Sequence, residues 1–127
     1  MSQTDAERRY FATCAQGIEP VLEREVRALG VREVQRRSGG VAFRGSRGDM
    51  MRACLSLRTA DRVLWNLGSF PAPHAEALYT NVRRAARWSG LVPPDHTLAV
   101  HGIVRDTPSL TDGRFVALKV KDAVVDA

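Results

Sequence analysis

The chain has no long apolar run, few cysteines and almost no lysine. None of its 127 residues belongs to an uninterrupted apolar stretch near the roughly 18 to 20 residues that a membrane-spanning helix needs. The first nine residues are polar, where a secretory signal would contain an apolar segment. These two absences predict a cytoplasmic protein.

Cysteine is nearly absent, with Cys14 and Cys54 as the two thiols of the chain. They stand far apart in sequence, each inside an apolar segment, which favours two reduced and buried thiols over a disulfide. His74, His96 and His101 do not have the spacing of a metal-ligand set, and no cysteine lies beside them. The sequence therefore predicts no metal site.

Motifs of catalysis and of cofactor binding are also missing. No serine, threonine or cysteine stands in a recognisable nucleophile motif. The glycines around Gly39 and Gly45 lack the Lys-Ser/Thr ending of a phosphate-binding loop and the glycine spacing of a dinucleotide-binding turn. We expect neither a catalytic site nor a cofactor in this chain.

Lysine is scarce because arginine supplies nearly all the positive charge: 17 Arg and 2 Lys face 14 acidic residues, for a net charge of +5. A positive field favours encounters with polyanions, and arginine adds bidentate pairing with phosphate and stacking on bases. Nucleic acid is the natural partner of such a surface. A bias towards arginine can equally reflect the base composition of a genome, so charge alone leaves a merely solvated surface open.

The first part of the chain alternates between short strand patterns and helical patterns. Apolar residues recur at helical spacing from Ile18 to Leu29, and Gly30 stands where a glycine commonly ends a helix. The predicted order is strand, helix, strand, strand, helix, strand, over residues 10–14, 18–29, 31–37, 41–43, 49–57 and 62–70. Asp49 is the expected N-cap of the second helix. This order predicts an α+β fold, with a ferredoxin-like split βαβ domain over residues 8–70.

Two prolines at 71 and 73 mark a domain boundary, after which a second domain is predicted over residues 71–127. Its expected elements are a helix over 75–88, a strand over 97–104 and a final helix from residue 114. One strand has too few partners, and the final helix ends without a stop signal. We therefore expect the chain to be the front part of a longer one.

The final helix carries the other candidate features. Its apolar stripe consists of Val116, Val120, Ala123, Val124 and Ala127, and truncation of Phe115 or Leu118 is expected to damage the fold. Thr111 and Asp112 can cap its start, where free amides favour an anion. Basic residues gather around this helix and the strand before it: Arg105, Arg114, Lys119 and Lys121. Lys119 and Lys121 are about 200° apart around a helix, so both cannot share one narrow face.

Four blocks of sequence resemble the N-terminal region of bacterial THUMP-domain methyltransferases that modify guanine N2 in 23S ribosomal RNA. They occur in the family's order, over residues 10–25, 39–43, 54–64 and 115–126. The resemblance implies a ferredoxin-like domain, then a THUMP RNA-binding domain, then a Rossmann-type domain that uses S-adenosylmethionine. The family's Asn/Asp-Pro-Pro-Tyr segment and glycine-rich cofactor loop have no counterpart in this chain.

The resemblance implies an RNA-binding module that positions ribosomal RNA for a downstream methyltransferase domain absent from this chain. S-adenosylmethionine would belong to that missing domain, and the module's partners would be 23S ribosomal RNA and the catalytic domain. On this interpretation Arg105, Arg114, Lys119 and Lys121 contact the RNA backbone. Two alternatives remain: a structural domain of the same enzyme without RNA contact, and the THUMP region of an enzyme that modifies transfer RNA.

Overall fold

The computed structural model describes residues 7–104, 110 and 112–127, and the chain divides into two compact units, Met1–Asn66 and Leu67–Ala127. The first unit contains β1 (Arg8–Thr13), α1 (Glu19–Ala28), β2 (Arg32–Arg37), β3 (Gly40–Gly45), α2 (Arg47–Ser56) and β4 (Arg62–Trp65). The second contains α3 (Ala75–Ala85), α4 (Trp88–Leu91) and α5 (Gly113–Asp126). None of the helices in the described part of the chain is long and apolar enough to cross a membrane.

The first unit is a four-stranded antiparallel sheet in the order β2-β3-β1-β4. The central strands pair from Arg8 opposite Gly45 to Thr13 opposite Gly40. The two halves, each a strand, a helix and a strand, interleave so that the first strand of each half lies in the centre. The predicted α+β class and ferredoxin-like order are therefore confirmed.

The core of the first unit lies between one face of the sheet and its two helices. Alternate residues of β1 and β3 point into it, because successive side chains of a strand face opposite ways. The buried set is Tyr10, Ala12, Cys14, Leu22, Val26, Val41, Phe43 and Ala53. Leu22, Val26 and Val41 are fully inaccessible to solvent, so this layer supplies most of the apolar burial of the unit.

Helix ends in this unit follow local chemistry, with one correction to the sequence interpretation. The N-cap of α2 is Ser46 and not Asp49: the Ser46 hydroxyl accepts the Asp49 N–H at 3.1 Å, and Asp49 in turn accepts the Ser46 N–H at 2.9 Å. Both short polar side chains suit an N-cap, and the reciprocal bonds satisfy two otherwise unpaired amides. Gly30 follows α1 with φ at +77°, the left-handed conformation that glycine adopts without strain.

The two cysteines lie in different environments, so the expectation of two buried thiols is wrong for one of them. Both are free, Cys14 in the core and Cys54 on the exposed side of α2. Burial raises the pKa of the Cys14 thiol, and the nearby carboxylates of Glu19 and Asp61 add to the rise. Cys54 lies off the buried stripe of α2, its Sγ 3.7 Å from Met50 Sδ.

The second unit has its own small core, formed mainly by α3 and α5. The buried residues are Leu78, Val82, Leu110, Ala123 and Val124. Trp88 Nε1 donates to the Val82 carbonyl at 2.7 Å and ties the short α4 to the end of α3. The predicted helix over 75–88 is thus interrupted after Ala85.

Residues 97–104 are not a strand, contrary to the prediction from their alternation. A strand needs a neighbouring ladder for its N–H and C=O groups, and no strand in the described part of this unit supplies one. The backbone here approaches helix α5 instead: a Cβ on Gly102 would lie 2.3 Å from the Gly113 carbonyl oxygen. The alternating polarity therefore indicated an extended backbone, but it did not indicate whether another strand pairs with it.

The apolar face of α5 is narrower than its sequence pattern indicates. Ala123 and Val124 are buried and Val116 and Val120 pack beside them, as expected, whereas Ala127 is exposed. Phe115 and Leu118 are 43% and 55% exposed to solvent, so the expectation that truncating these side chains damages the fold is not supported. The neighbouring helix α3 covers the Ala123 side of α5 and leaves Phe115 and Leu118 about half exposed.

Two carboxylates of α1 bind loops of the first unit through hydrogen bonds that favour the charged form of each carboxylate. The Gly39 N–H donates to Glu19 Oε2 at 3.0 Å, and backbone donors, Gly39 foremost, lower the pKa of Glu19. Glu25 accepts the Thr59 hydroxyl and the N–H groups of Arg58 and Thr59, at 3.0 and 3.1 Å for the two amides. The Thr59 hydroxyl bond is the main cause of the lowered pKa of Glu25.

These lowered pKa values predict acid sensitivity of the first unit. Glu19 and Glu25 have an ordinary pKa of 4.5, and Asp49, lowered mainly by the Ser46 N–H and then by Arg52, an ordinary value of 3.8. Below these values the unfolded chain binds more protons than the folded chain. The stabilisation is therefore present at neutral pH and is lost as pH falls through the folded pKa values. Urea titrations from neutral to acid pH measure it.

The matched control is Glu25→Gln, which keeps an acceptor oxygen and removes the titrating group. We expect this variant to be less stable than the parent at neutral pH, because charge-assisted hydrogen bonds are lost, and to lose less stability on acidification. A free energy of unfolding that rises as the solution is acidified would contradict the assignment.

Candidate nucleic-acid interface

The start of α5 is closed by an acidic cap. Asp112 Oδ1 accepts the Arg114 N–H at 2.9 Å, so the carboxylate satisfies an amide that an anion would otherwise use. Arg114 itself is exposed. The predicted contacts of Arg105 and Thr111 lie outside the described residues. A negative charge at this position works against anion binding by the helix start alone.

Lys119 lies half-buried beside a cleft of about 510 Å³ between α3 and α5. Its Nζ is 5.9 Å from the centroid of the Phe115 ring, which positions the ammonium over the aromatic face. The other residues that line the cleft are Ala75, Glu76, Tyr79, Thr80, Asp122 and Asp126. Lys119 therefore shares the cleft with three carboxylates.

The carboxylate at the far end of the cleft is fixed by hydrogen bonds. The Tyr79 hydroxyl donates to Asp126 Oδ2 at 2.5 Å, and this bond is the main reason that the pKa of Tyr79 is raised. Arg83 Nη2 donates to the Asp126 carbonyl at 3.1 Å and caps the last turn of α5. The cleft is thus polar and rich in negative charge, and it suits a cation or a hydrogen-bonding group better than a phosphate.

Lys121 is not among the residues that line this cleft. Its side chain is half exposed and its Nζ lies 3.6 Å from Asp122 Oδ1, an ion pair in solvent. The structure therefore does not gather Arg114, Lys119 and Lys121 into one basic patch: Lys119 lies in the cleft, Lys121 pairs with a neighbouring carboxylate, and Arg114 stands at the helix start. Their contact with RNA remains a prediction.

The histidines have structural or solvated surroundings. His74 is the N-cap of α3, and its Nδ1 accepts the Ala77 N–H at 3.2 Å. His96 is exposed beside Asp95, with 3.9 Å between Nδ1 and Oδ1. No group of three or more possible metal ligands occurs among the described side chains.

Most of the net charge belongs to the first unit. Residues 1–66 contain 12 arginines and 8 acidic residues, a net charge of +4, whereas residues 67–127 contribute a net charge of +1. The acidic residues of α1 and α2 make hydrogen bonds or ion pairs on the helical side of the sheet. The basic surface must therefore be sought on the other side.

The face of the sheet turned away from the helices carries arginines on all four strands. We define the open sheet face by the following residues: Arg9, Phe11, Arg37, Arg44, Arg62 and Leu64. Register places Arg9 opposite Arg44, and Phe11 opposite Leu64. This set was not predicted from the sequence. Alternation with the core residues Tyr10, Ala12, Val41 and Phe43 was the signal that could have revealed it.

Comparison with known proteins relates this chain to methyltransferases. Residues 9–64 match the family model of the RlmL ferredoxin-like domain. The chain is 42% identical over 122 residues to a ribosomal RNA large subunit methyltransferase K/L of Syntrophotalea carbinolica, and 41% identical over 119 residues to its namesake in Methylococcus capsulatus. These alignments cover 96% and 94% of this chain.

A solved structure shares the fold over nearly the whole chain. The crystal structure described as a predicted N6-adenine-specific DNA methylase from Listeria monocytogenes superposes with a TM-score of 0.87 at 30% identity, covering 95% of this chain and 31% of that one. The present chain spans only 17% and 16% of the length of the two ribosomal RNA methyltransferases. Residues 9–64 thus match the RlmL ferredoxin-like domain, in a chain similar to the N-terminal region of ribosomal RNA large subunit methyltransferases K/L.

Proposed function

We propose that this chain is an RNA-binding module that positions 23S ribosomal RNA for a methyltransferase domain acting on guanine N2. The observation that carries the proposal is the 42% identity, over 96% of this chain, to a ribosomal RNA methyltransferase. The positive net charge supports it, because neutralising phosphates releases counterions and favours binding. In this proposal the methyl donor, S-adenosylmethionine, is bound by a separate catalytic domain.

The second unit would be part of a THUMP domain, as the resemblance of its last helix implies. Arg105, Arg114, Lys119 and Lys121 are the proposed RNA contacts of this unit. Asp122 beside Lys121 and the carboxylates beside Lys119 oppose a phosphate, so these contacts supply only a part of the affinity. The cytoplasm, where ribosomal RNA is found, is the proposed location.

The expected result of a polarisation titration is weak binding to structured RNA that falls steeply with salt. The double variant Lys119→Gln with Lys121→Gln should bind more weakly and reduce the salt slope by up to about 1.8, since each phosphate that a side chain neutralises on a duplex contributes about 0.9 to the slope. Its thermal stability should change by no more than about 0.5 kcal/mol, because both side chains lie away from the buried core.

The reciprocal control is Glu76→Gln, which removes a carboxylate from the cleft of Lys119 and should raise the affinity if RNA approaches this side. Binding that is absent at low salt, or that is indifferent to salt, would refute the RNA-binding proposal and favour a structural domain.

Duplex DNA belongs in the same titrations, because the Listeria protein is described as a DNA methylase. Transfer RNA tests the remaining alternative.

A further inference from the structure

We propose that the open sheet face binds an unpaired segment of RNA. The proposal rests on the RNA-binding function proposed above, but it places a contact surface in the first unit and not on helix α5. Both helices of the first unit pack on the opposite side of the sheet, and Leu64 on the open sheet face keeps 45% of its exposure. Arg9, Arg37 and Arg62 are exposed as well.

The arginines of the open sheet face have little internal neutralisation. Neither Arg9 nor Arg62 has a carboxylate partner among the residues that the structure describes. Arg37 Nη2 donates to the Gln35 side chain, at 2.9 Å. Arg44 lies 3.5 Å from Glu33, and its buried Nε has no hydrogen-bond partner in the described structure. Several guanidinium groups on one flat surface therefore remain available to a polyanion.

The acidic residues of the same unit mostly lie on the other side. Glu23 pairs with Arg27 at 3.1 Å and with Arg36 at 3.6 Å, on the helical side of the sheet. Glu25 and Asp49 are held by hydrogen bonds near the ends of α2. Two carboxylates lie on the open side, with Glu7 3.3 Å from Arg32 and Glu33 3.5 Å from Arg44, so Arg9, Arg37 and Arg62 supply most of the positive potential that complements a phosphate backbone.

Phe11 gives this face a feature that phosphate binding alone would not need. Its ring lies over Gly40 of the neighbouring strand, with Cζ and Cε1 at 2.7 and 2.8 Å from the position that a Cβ of Gly40 would occupy. The ring is supported by the sheet and partly exposed, opposite Leu64. Unpaired bases stack on aromatic side chains presented by a sheet, whereas the bases of a duplex are already stacked within it. The geometry thus favours unpaired RNA over a duplex.

A protein partner fits this surface less well. The centre of a protein interface is depleted in charge and rich in apolar area. Here Phe11 and Leu64 are surrounded by arginines from all four strands. Charge complementarity therefore assigns the face to RNA.

The test compares two double variants that remove the same charge from opposite sides of the first unit. Arg9→Gln with Arg62→Gln changes the open sheet face, and Arg24→Gln with Arg47→Gln changes exposed positions on α1 and α2. The probe is a labelled polyuridine oligonucleotide, titrated by fluorescence polarisation at several salt concentrations. We expect the first pair to lower the salt slope by about 1.4 and the second pair to change it little.

A third variant, Phe11→Leu, separates stacking from charge. It keeps an apolar side chain over Gly40, so the sheet should remain folded by circular dichroism. We expect its affinity for polyuridine to fall about five-fold or more, because stacking of a base on an aromatic ring is lost. The parent should bind polyuridine more tightly than an RNA duplex of equal length.

Equal weakening by the two arginine pairs would overturn the proposal, since it would indicate unspecific attraction by net charge. Parent-like binding by Arg9→Gln with Arg62→Gln, together with weaker binding by the Lys119 and Lys121 variant, would overturn it while leaving the RNA-binding function intact. Parent protein that binds no RNA at all would refute both. Self-association of the parent that Phe11→Leu abolishes would identify the face as a protein interface instead.

Discussion

Replacing Leu22 by alanine should lower the free energy of unfolding by about 2 to 5 kcal/mol, the usual cost of a cavity in a close-packed core. Leu22 lies on the inner face of α1 with no exposed surface, in the same cluster as Ala12, Val26 and Val41. The lost isopropyl group leaves a space that strands β1 and β3 cannot readily close, because backbone hydrogen bonds hold these strands together. The net stability of a folded domain is only about 5 to 15 kcal/mol, so a loss of this size removes a large fraction of it.

The matched control is Leu55→Ala on α2, the same chemical change at a side chain that is 87% exposed. We expect it to change the free energy of unfolding by no more than about 0.5 kcal/mol. Urea titrations followed by far-ultraviolet circular dichroism measure both variants. Equal losses for the two would contradict the described packing of α1 on the sheet.

Replacing Gly40 by alanine should destabilise the first unit by about 1 to 3 kcal/mol, the range seen when a packed site receives an extra methyl group. The new Cβ would lie 2.2 Å from the Ala12 carbonyl oxygen and 2.7 Å from Phe11 Cζ. Gly40 pairs with Thr13 across the two central strands, so the backbone cannot move away without disturbing the ladder. The ring of Phe11 must rotate as well, and the variant should also weaken RNA binding if Phe11 supports a stacked base.

Substitution of another glycine in the same unit should have the opposite effect on stability. A Cβ on Gly48, in the first turn of α2, would meet only Ser46 Oγ, at 3.6 Å. Gly48→Ala should therefore stabilise the unit, by up to about 1 kcal/mol, because alanine loses less backbone entropy than glycine in a helix. Thermal melts of both variants test the pair. An unchanged melting temperature for Gly40→Ala would show that the two central strands lie farther apart at this point.

The first unit was largely predictable because its elements are short and their patterns unambiguous. The helical spacing from Ile18 to Leu29, followed by Gly30, located α1 within one residue at each end. The turn at Ser38 and Gly39 located the hairpin of β2 and β3. Local signals of this kind depend on near neighbours in sequence, and the six-element order then leaves few topologies to choose from.

The second unit was less predictable because its contacts determine what its patterns mean. Periodicity shows which residues of α5 share a face. Which of those residues are buried depends on how much of the face α3 covers, and Phe115 and Leu118 lie outside the covered part. The alternation over 97–104 indicates extended backbone, whereas strand pairing requires a partner that no local signal can supply.

The candidate sites show the same difference between local and non-local information. Reading along the chain selects charges that are close in sequence, such as Lys119 and Lys121, but in the structure Lys119 lines the cleft with three carboxylates and Lys121 pairs with Asp122. Arg9 and Arg44 are 35 positions apart in sequence and directly opposite each other in the sheet. A surface that is built across strands becomes visible only when the register is known.

The unequal surroundings of the two thiols give the molecule a single attachment point for a reporter dye. A maleimide reacts with thiols that solvent reaches, and Cys54 on α2 is exposed, whereas Cys14 is shielded by the core and burial raises its pKa. Because α2 packs on the helical side of the sheet, a fluorophore on Cys54 would lie on the opposite side of the first unit from the arginines of the open sheet face. Tumbling of the labelled protein could then report the capture of a large RNA without a bulky group on the binding surface.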